Sequence, residues 1–352
     1  MKAEIKIKVV LEAIKEQSSL AELASKANVA GSQISTWKSE FLNQANAIIT
    51  HTKQLGEMRP NIIFGMVVFV LHFSCSNLAK NEESNKIWYL KYEMLICQNK
   101  GEYGPAEKKL DTILSIEPKT SDAGVFVSAM KILYHNGNLE KLHGILETVP
   151  FDIKFEICQN YYYHESIFQD FCKGMKSSID LNNPKLKELI IMYYNDQYDR
   201  GNDNEELLFK YGLNRDSILY SSGNVDEINL IKLKLMLKDS FPKKKVVGQD
   251  GLRAIFFITL HSRQIEFQES VLDYMEKNLT KGEFEKSEYA YLYDRICYNK
   301  NIPQKYGTQF DYVNKKNGIT KLHPLIDSLR VDSLRKSMGL SPLSVYKELM
   351  LL

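Results

Sequence analysis

Apolar residues recur at three- and four-residue spacing along most of this chain, so the predicted elements are helices almost throughout. Ile7, Val10, Leu11 and Ile14 mark a first amphipathic stretch. Ser19-Leu20-Ala21-Glu22 has the form of a capping box opening a short helix to Ala27. After the turn "NVAG", a third helix starts at Ser32, with Ile34, Trp37, Phe41 and Leu42 on its apolar side and Gln33, Ser35, Thr36 and Lys38 on its polar side. Ile62 to Phe73 is then almost unbroken in its apolar character, interrupted by Gly65 and His72. Helical periodicity resumes from Asn81, with breaks at Gly and Pro, and runs on through Leu186 to Tyr194, Ile228 to Leu237, Leu252 to Leu260, Phe267 to Met275 and Tyr289 to Cys297. Gly307, Asn317-Gly318 and Pro324 mark a looped section that suits a small hairpin, and a last helix pair lies around Pro342. The expected fold is mainly α: an N-terminal helix-turn-helix, a repeat-like helical middle, and a helical C-terminal domain with a small β-hairpin.

Composition changes this picture little. A chain of 352 residues, 44% hydrophobic and 26% charged, has the makings of two or three packed domains. The pattern divides it into residues 1–57, 58–80, 81–184 and 185–352. A formal charge of +2 excludes any chain-wide attraction to nucleic acid or acidic lipid, so contact with DNA has to be local. Five cysteines without a C-x-x-C pair argue against a zinc site and against a disulfide framework, and neither a metal nor a cofactor is implied.

Ala21-Glu-Leu-Ala24 and Gln33-Ile-Ser-Thr-Trp-Lys-Ser-Glu-Phe41 resemble the small helix-turn-helix subunit of insertion-sequence transposases over about forty residues. The resemblance implies binding of duplex DNA through residues 1–57, with Gln33, Ser35, Thr36 and Lys38 facing bases and phosphates. It departs from the family in having no arginine before Arg59 and no leucine-rich dimerising helix next. A monomer cannot bridge two half-sites, so the binding expected is weak and steep in salt.

The apolar run is too short to span a bilayer, which takes about 20 residues. It suits either a buried core helix or the apolar centre of an export signal, with Met58-Arg59-Pro60 as a basic start. "FSCSN" resembles the end of a lipoprotein signal, which implies a lipid on Cys75 and a membrane as partner. The chain reads as two pieces joined near Met58. Translation from Met1 implies a cytoplasmic protein, and translation from Met58 a membrane-anchored lipoprotein.

In the middle, "NKGEYGPAEKKLDTILSIEP" resembles the second half of a tetratricopeptide repeat, and "HNGNLEKLHGILETVP" echoes it, Gly137 following Gly101 by 36 residues. Over residues 98–150 this implies stacked helix pairs and a surface suited to a protein partner. Tyr161, Tyr162 and Tyr163 with His164 offer aromatic area for packing.

Residues 185–352 hold the densest chemistry. Asp196, Gln197 and Arg200 close one helix; His261 ends another, with Gln264 and Gln268 beyond it; Asp294 and Arg295 precede a loop bearing Gln304, Tyr306, Thr308 and Gln309. These segments resemble a bacterial domain family of unknown function marked by D-Q-x-D-R, a central helical His, Y-L-x-D-R and P-Q-x-Y-G-T-Q. A carboxylate from Asp196 or Asp294 would orient one nitrogen of His261 while the other acts as a base. Arg200 and Arg295 suit an anionic group, and Gln304, Tyr306, Thr308 and Gln309 a polar ligand. Buried Asp–Arg bridges and a hydrogen-bonded core histidine use the same residue types. Without a nucleophile elbow, a P-loop or a dinucleotide fingerprint, the sequence names no reaction.

Overall fold

A computed structural model describes residues 9–10, 13, 20–27, 29–40, 43, 83–160, 166–220 and 224–352. Ser19 of the capping box, Phe41 and Leu42, the join near Met58, the run Ile62 to Phe73, Cys75 and the Tyr161 to His164 cluster lie outside these residues. The chain divides into two compact units, Met1–Ile87 and Trp88–Leu352. The protein is mainly helical, with one two-stranded antiparallel sheet near the C-terminus.

In the first unit, α1 (Leu20–Ala27) and a helix over residues 31–40 (α2) bury Leu23 and Ile34 against Val9 and Ala13. The Val29 amide donates to Ala24 O at 3.0 Å and closes the turn between them. Gln33, Ser35 and Thr36 are exposed, as the amphipathic spacing requires. Lys38 behaves differently, because its ammonium donates to Ala13 O at 3.0 Å. Ser35 and Thr36 turn their hydroxyls to the carbonyls of Gly31 and Ser32, one turn back.

A helix over residues 83–99 (α3), whose part from Trp88 onward belongs to the second unit, is followed by α4 (Tyr103–Ile116). α5 (Ala123–His135) and α6 (Leu139–Glu147) make a second helix pair. The two pairs break at Gly101 and Gly137, as the spacing predicts. Glu107 of α4 joins them, accepting from Asn136 at 2.7 Å, Asn138 at 3.0 Å and Lys141 at 2.8 Å. The Lys141 ammonium holds this carboxyl below its usual range. α3 is tied to the C-terminal segment by Trp88 Nε1, which donates to Leu340 O at 2.9 Å, and by Tyr92 OH, which donates to Gly339 O at 2.9 Å.

α7 (Phe151–Asn160) and α8 (Ser166–Phe171) follow. Here the cysteine reading needs correction. Cys158 and Cys172 form a disulfide, with their Cα atoms 5.5 Å apart. Spacing along the chain gives no hint of this pair, because it is the fold of two short successive helices that brings a separation of 14 residues to bonding distance. Cys97 and Cys297 are free thiols.

The C-terminal helices are α9 (Pro184–Asp199), α10 (Glu205–Tyr211), α11 (Arg215–Ile218), α12 (Val225–Leu237), α13 (Lys244–His261), α14 (Ile265–Asn278) and α15 (Lys286–Asn299). β1 (Phe310–Asn314) and β2 (Ile319–Leu322), then α16 (Val331–Ser337) and α17 (Leu343–Leu349), complete the chain. α9 starts as its sequence demands: Asn183 accepts from the amides of Lys185 and Leu186, and Pro184 occupies the first turn, where no N–H is needed. Leu186, Ile190, Leu252, Ile255, Val271 and Leu292 lie in one shared core. Three contacts fix how α9 and α13 run. Leu186 meets Gly251, Tyr193 stacks on Phe257 at 5.3 Å, and Asp196 meets His261. The near-constant offset along the two helices means that they point the same way. α15 runs with them, since Glu288 near its start faces Arg253, and Asn299 at its end donates to Gln268, the residue that caps α13.

Glu288 is 6% exposed, and burial pushes its carboxyl up to about 7 against the pull of Arg253. The folded state therefore keeps this proton to higher pH than the unfolded chain does. The stabilisation is complete below the unfolded carboxyl's pKa and is lost as pH rises toward about 7, a change of about 3 kcal/mol. Glu288→Gln mimics the protonated form. In urea unfolding, the stability of the variant relative to wild type should rise by about 3 kcal/mol between about pH 4 and pH 8. A difference that stays flat with pH would remove Glu288 as the cause.

Candidate functional site

The C-terminal ends of α9, α13 and α15 converge, and with them the residues singled out in the sequence. Asp196, 1% exposed on the last turn of α9, is the centre of the group. Its Oδ1 accepts from His261 Nδ1 at 2.8 Å and lies 3.1 Å from Arg200 Nη1, while its Oδ2 accepts from Gln197 Nε2 at 2.8 Å. Three donors on one carboxylate identify it as the ionised acceptor, so the shared proton sits on Nδ1 of His261. Nε2 then carries the lone pair, and it has no hydrogen-bond partner among the described residues. D-Q-x-D-R is thus a compact unit in which Gln197 and Arg200 hold the acid that holds the histidine.

Arg200 is committed elsewhere as well. It donates to Asp196 O at 2.8 Å and to Asp226 Oδ1 at 2.7 Å, bridging α9 to α12. Arg295 is not committed in this way. Its guanidinium is partly buried, 5.9 Å from the ring of Tyr298, its Nε has no hydrogen bond, and no carboxylate pairs with it among the described residues. Burial holds this group below its ordinary range, and the nearby Arg200 adds to the effect. Arg295 is therefore a loosely held cation near Arg200, and His261 is an imidazole oriented by Asp196. Helix C-termini supply partial negative charge, which helps two nearby guanidiniums to be tolerated.

His261 is positioned by Gln268 of α14, whose Nε2 donates to Thr259 O, Leu260 O and Ser262 O and so satisfies the last carbonyls of α13. The ring lies 5.8 Å from Phe257, itself stacked on Tyr193. Burial raises the phenol of Tyr193 to about 12, keeping it neutral. Gln268 stood in the sequence beside His261, but its capping role depends on the angle between α13 and α14.

The fold assigns Asp294 a different task from Asp196. Its carboxylate, fully buried, accepts from the amides of Lys305 at 2.8 Å, Tyr306 at 3.1 Å and Thr308 at 3.0 Å, and from Thr308 Oγ1 at 3.0 Å. No acceptor capacity is left for His261. Gln304 is equally engaged, donating to Gln309 O and His323 O and accepting from the Gln309 amide. Gln309 donates to Thr308 Oγ1, and Tyr306 is buried. P-Q-x-Y-G-T-Q is therefore a fully bonded loop, and the side chains of Gln304, Thr308 and Gln309 spend their hydrogen bonds on the loop itself, on Asp294 and on His323 O. Arg335, unforeseen in the sequence, closes the loop from below: it donates to Tyr306 O at 2.7 Å, Gly307 O at 3.0 Å and Ser341 O at 2.6 Å. His323 was missed as well. Its Nδ1 faces Asp311 at 2.7 Å and its Nε2 faces Ile302 O at 3.0 Å, which anchors the hairpin to the loop.

Among the described residues no cluster of His, Cys, Asp and Glu is placed to hold a metal ion, and no helix is long and apolar enough to cross a membrane. Residues 186–351 match a family of unknown function, DUF6624. The matched span contains D-Q-x-D-R, His261, Y-L-x-D-R and the loop, so the whole convergence of helix ends lies within the residues that match. No curated protein and no solved structure matches the chain.

Proposed function

We propose that the DUF6624-like domain binds a small polar ligand where α9, α13 and α15 end, with His261 as its proton-handling group. The observation that supports this reading is the free Nε2 of an imidazole whose Nδ1 is fixed by a buried, three-fold bonded Asp196. Asp196 acts on the ligand only through His261 and is a positioning residue. Two measurements test the reading. Ligand-observed NMR with a panel of small polar fragments, neutral and charged, should give hits whose signal is lost in His261→Ala. Nitrogen-15 spectra of the histidines should show neutral His261 with its proton on Nδ1, and Asp196→Asn should abolish that preference. A panel without a single His261-dependent hit refutes the reading.

A second reading concerns the first unit. The exposed Gln33, Ser35 and Thr36 on α2 support contact with duplex DNA, with Lys38 contributing less because it is tied to Ala13 O. Fluorescence anisotropy of the full chain on duplex DNA should show weak binding that falls steeply between about 50 and 200 mM salt. Tight binding indifferent to salt would sink this reading. The Cys158–Cys172 disulfide supports an exported form, since such bonds persist in oxidising compartments. Mass analysis of the native product tests this through the oxidation state of Cys158 and Cys172 and any lipid on Cys75; reduced, unlipidated protein speaks against export.

A further inference from the structure

We infer that the ligand of His261 is a hydrogen-bond donor: a flat aromatic ring that carries an O–H or N–H group and no negative charge. The inference rests on the ligand-binding reading above and names the ligand class of that site. It starts from the wiring of the imidazole. Nδ1–H is spent on Asp196, so Nε2 has only a lone pair to offer, and a ligand bearing acceptors alone gains no bond there. His261 keeps 17% of its side chain exposed. Its Nε2 is unpaired without being sealed off, unlike the buried unpaired atoms of Gln249 and Arg295. A donor from solution can reach it.

Charge and neighbours narrow the class. Asp196 sits on the last turn of α9 and His261 is the last residue of α13, so the carbonyl ends of both helices join an ionised carboxylate in making the surroundings negative. Arg200 does not reverse this, because it is shared between Asp196 and Asp226. An anion therefore meets repulsion and finds no donor on the ring. The apolar part of the contact comes from α13 itself. Arg253, Phe257 and His261 recur every fourth residue as its partly exposed stripe, between residues that are all buried. The Phe257 ring lies 5.8 Å from the imidazole and 5.3 Å from Tyr193 of α9, so the imidazole ends a series of three rings. A flat ring gains most beside such a surface, since its quadrupole pairs with the faces and edges of its neighbours. Burial keeps the Tyr193 phenol neutral, so it adds no competing charge.

Saturation-transfer and chemical-shift titrations of the full chain with phenol and indole, against anisole, N-methylindole, cyclohexanol and benzoate, test this directly. Phenol and indole should bind, and methylation, which removes the donor and leaves the ring, should weaken them about tenfold. Cyclohexanol, a donor without the flat ring, and benzoate, a ring with a charge and no donor, should each bind several-fold more weakly than phenol. The nitrogen-15 resonance of His261 Nε2 should move with phenol or indole and stay in place with anisole. His261→Phe should remove the advantage of phenol over anisole, whereas Phe257→Leu should weaken phenol several-fold and keep that advantage. Equal binding of the methylated compounds or of cyclohexanol, tighter binding of benzoate, or indifference to Phe257→Leu in a folded protein overturns the inference. If other fragments bind in a His261-dependent manner and these rings do not, this inference fails while the ligand site stands. If nothing binds in either experiment, the ligand reading itself is lost.

Discussion

Arg335→Met should cost the second unit about 3–5 kcal/mol of unfolding free energy, a large fraction of the 5–15 kcal/mol typical of a domain. Arg335 has no exposed surface, and its stem fills space that methionine also fills, so packing is nearly conserved. The loss comes from its partners. Tyr306 O, Gly307 O and Ser341 O each accept from the guanidinium, and each is left buried without a donor. The contact of the guanidinium with the Tyr346 ring, 4.7 Å to its centre, is lost too. Removing a buried guanidinium also saves its desolvation cost, and replacing a whole buried polar group with apolar residues is often harmless. Here only one side is replaced, so the orphaned carbonyls decide the sign. Chemical denaturation measures the loss; a variant within about 1 kcal/mol of wild type would show that the loop stands without this clamp.

Gly248→Ala should cost about 3 kcal/mol or more, for two separable reasons. Gly248 sits at the kink in α13 with φ 64° and ψ −176°, a region essentially reserved for glycine. A Cβ there would also lie 2.6 Å from Ile179 Cδ1. Relieving the contact by moving Ile179 leaves the backbone strain in place, so no single rearrangement rescues the variant. The kink sets the direction of α13 and hence the place of His261 thirteen residues on, so the fragment hits of the ligand screen should weaken along with stability. Gly144→Ala is the internal control. Gly144 lies in helix α6 with nothing within 4 Å of its Cβ direction, and alanine there should stabilise by about 0.5–1 kcal/mol. Equal effects at the two positions would mean that the kink is not needed.

Much of the C-terminal helical order was legible because each helix carries its own periodicity and punctuation. Asn183-Pro184 opens α9, and Asn317-Gly318 turns the hairpin between β1 and β2. The candidate site was legible as an inventory and not as a wiring diagram. Asp196 and Asp294 look alike in sequence, each shortly before an arginine near a helix end. One orients His261 and the other clamps four donors of a loop, and nothing local separates them. Arg335 shows the same gap from the other side: "VDSLRKS" reads as a surface helix, yet one of its charges is the most enclosed cation of the loop.

The sequence by itself determined that the protein is mainly helical, that a small hairpin follows Gly307, and that D-Q-x-D-R, His261, Y-L-x-D-R and P-Q-x-Y-G-T-Q gather polar and charged side chains in the C-terminal region. The tertiary structure alone decided which carboxylate meets the histidine, which arginine remains open, and that Cys158 reaches Cys172. The reason is one of range. Helical periodicity and capping depend on residues within about four positions of one another, whereas a hydrogen bond across 65 residues depends on how helices pack, which no short stretch of sequence contains.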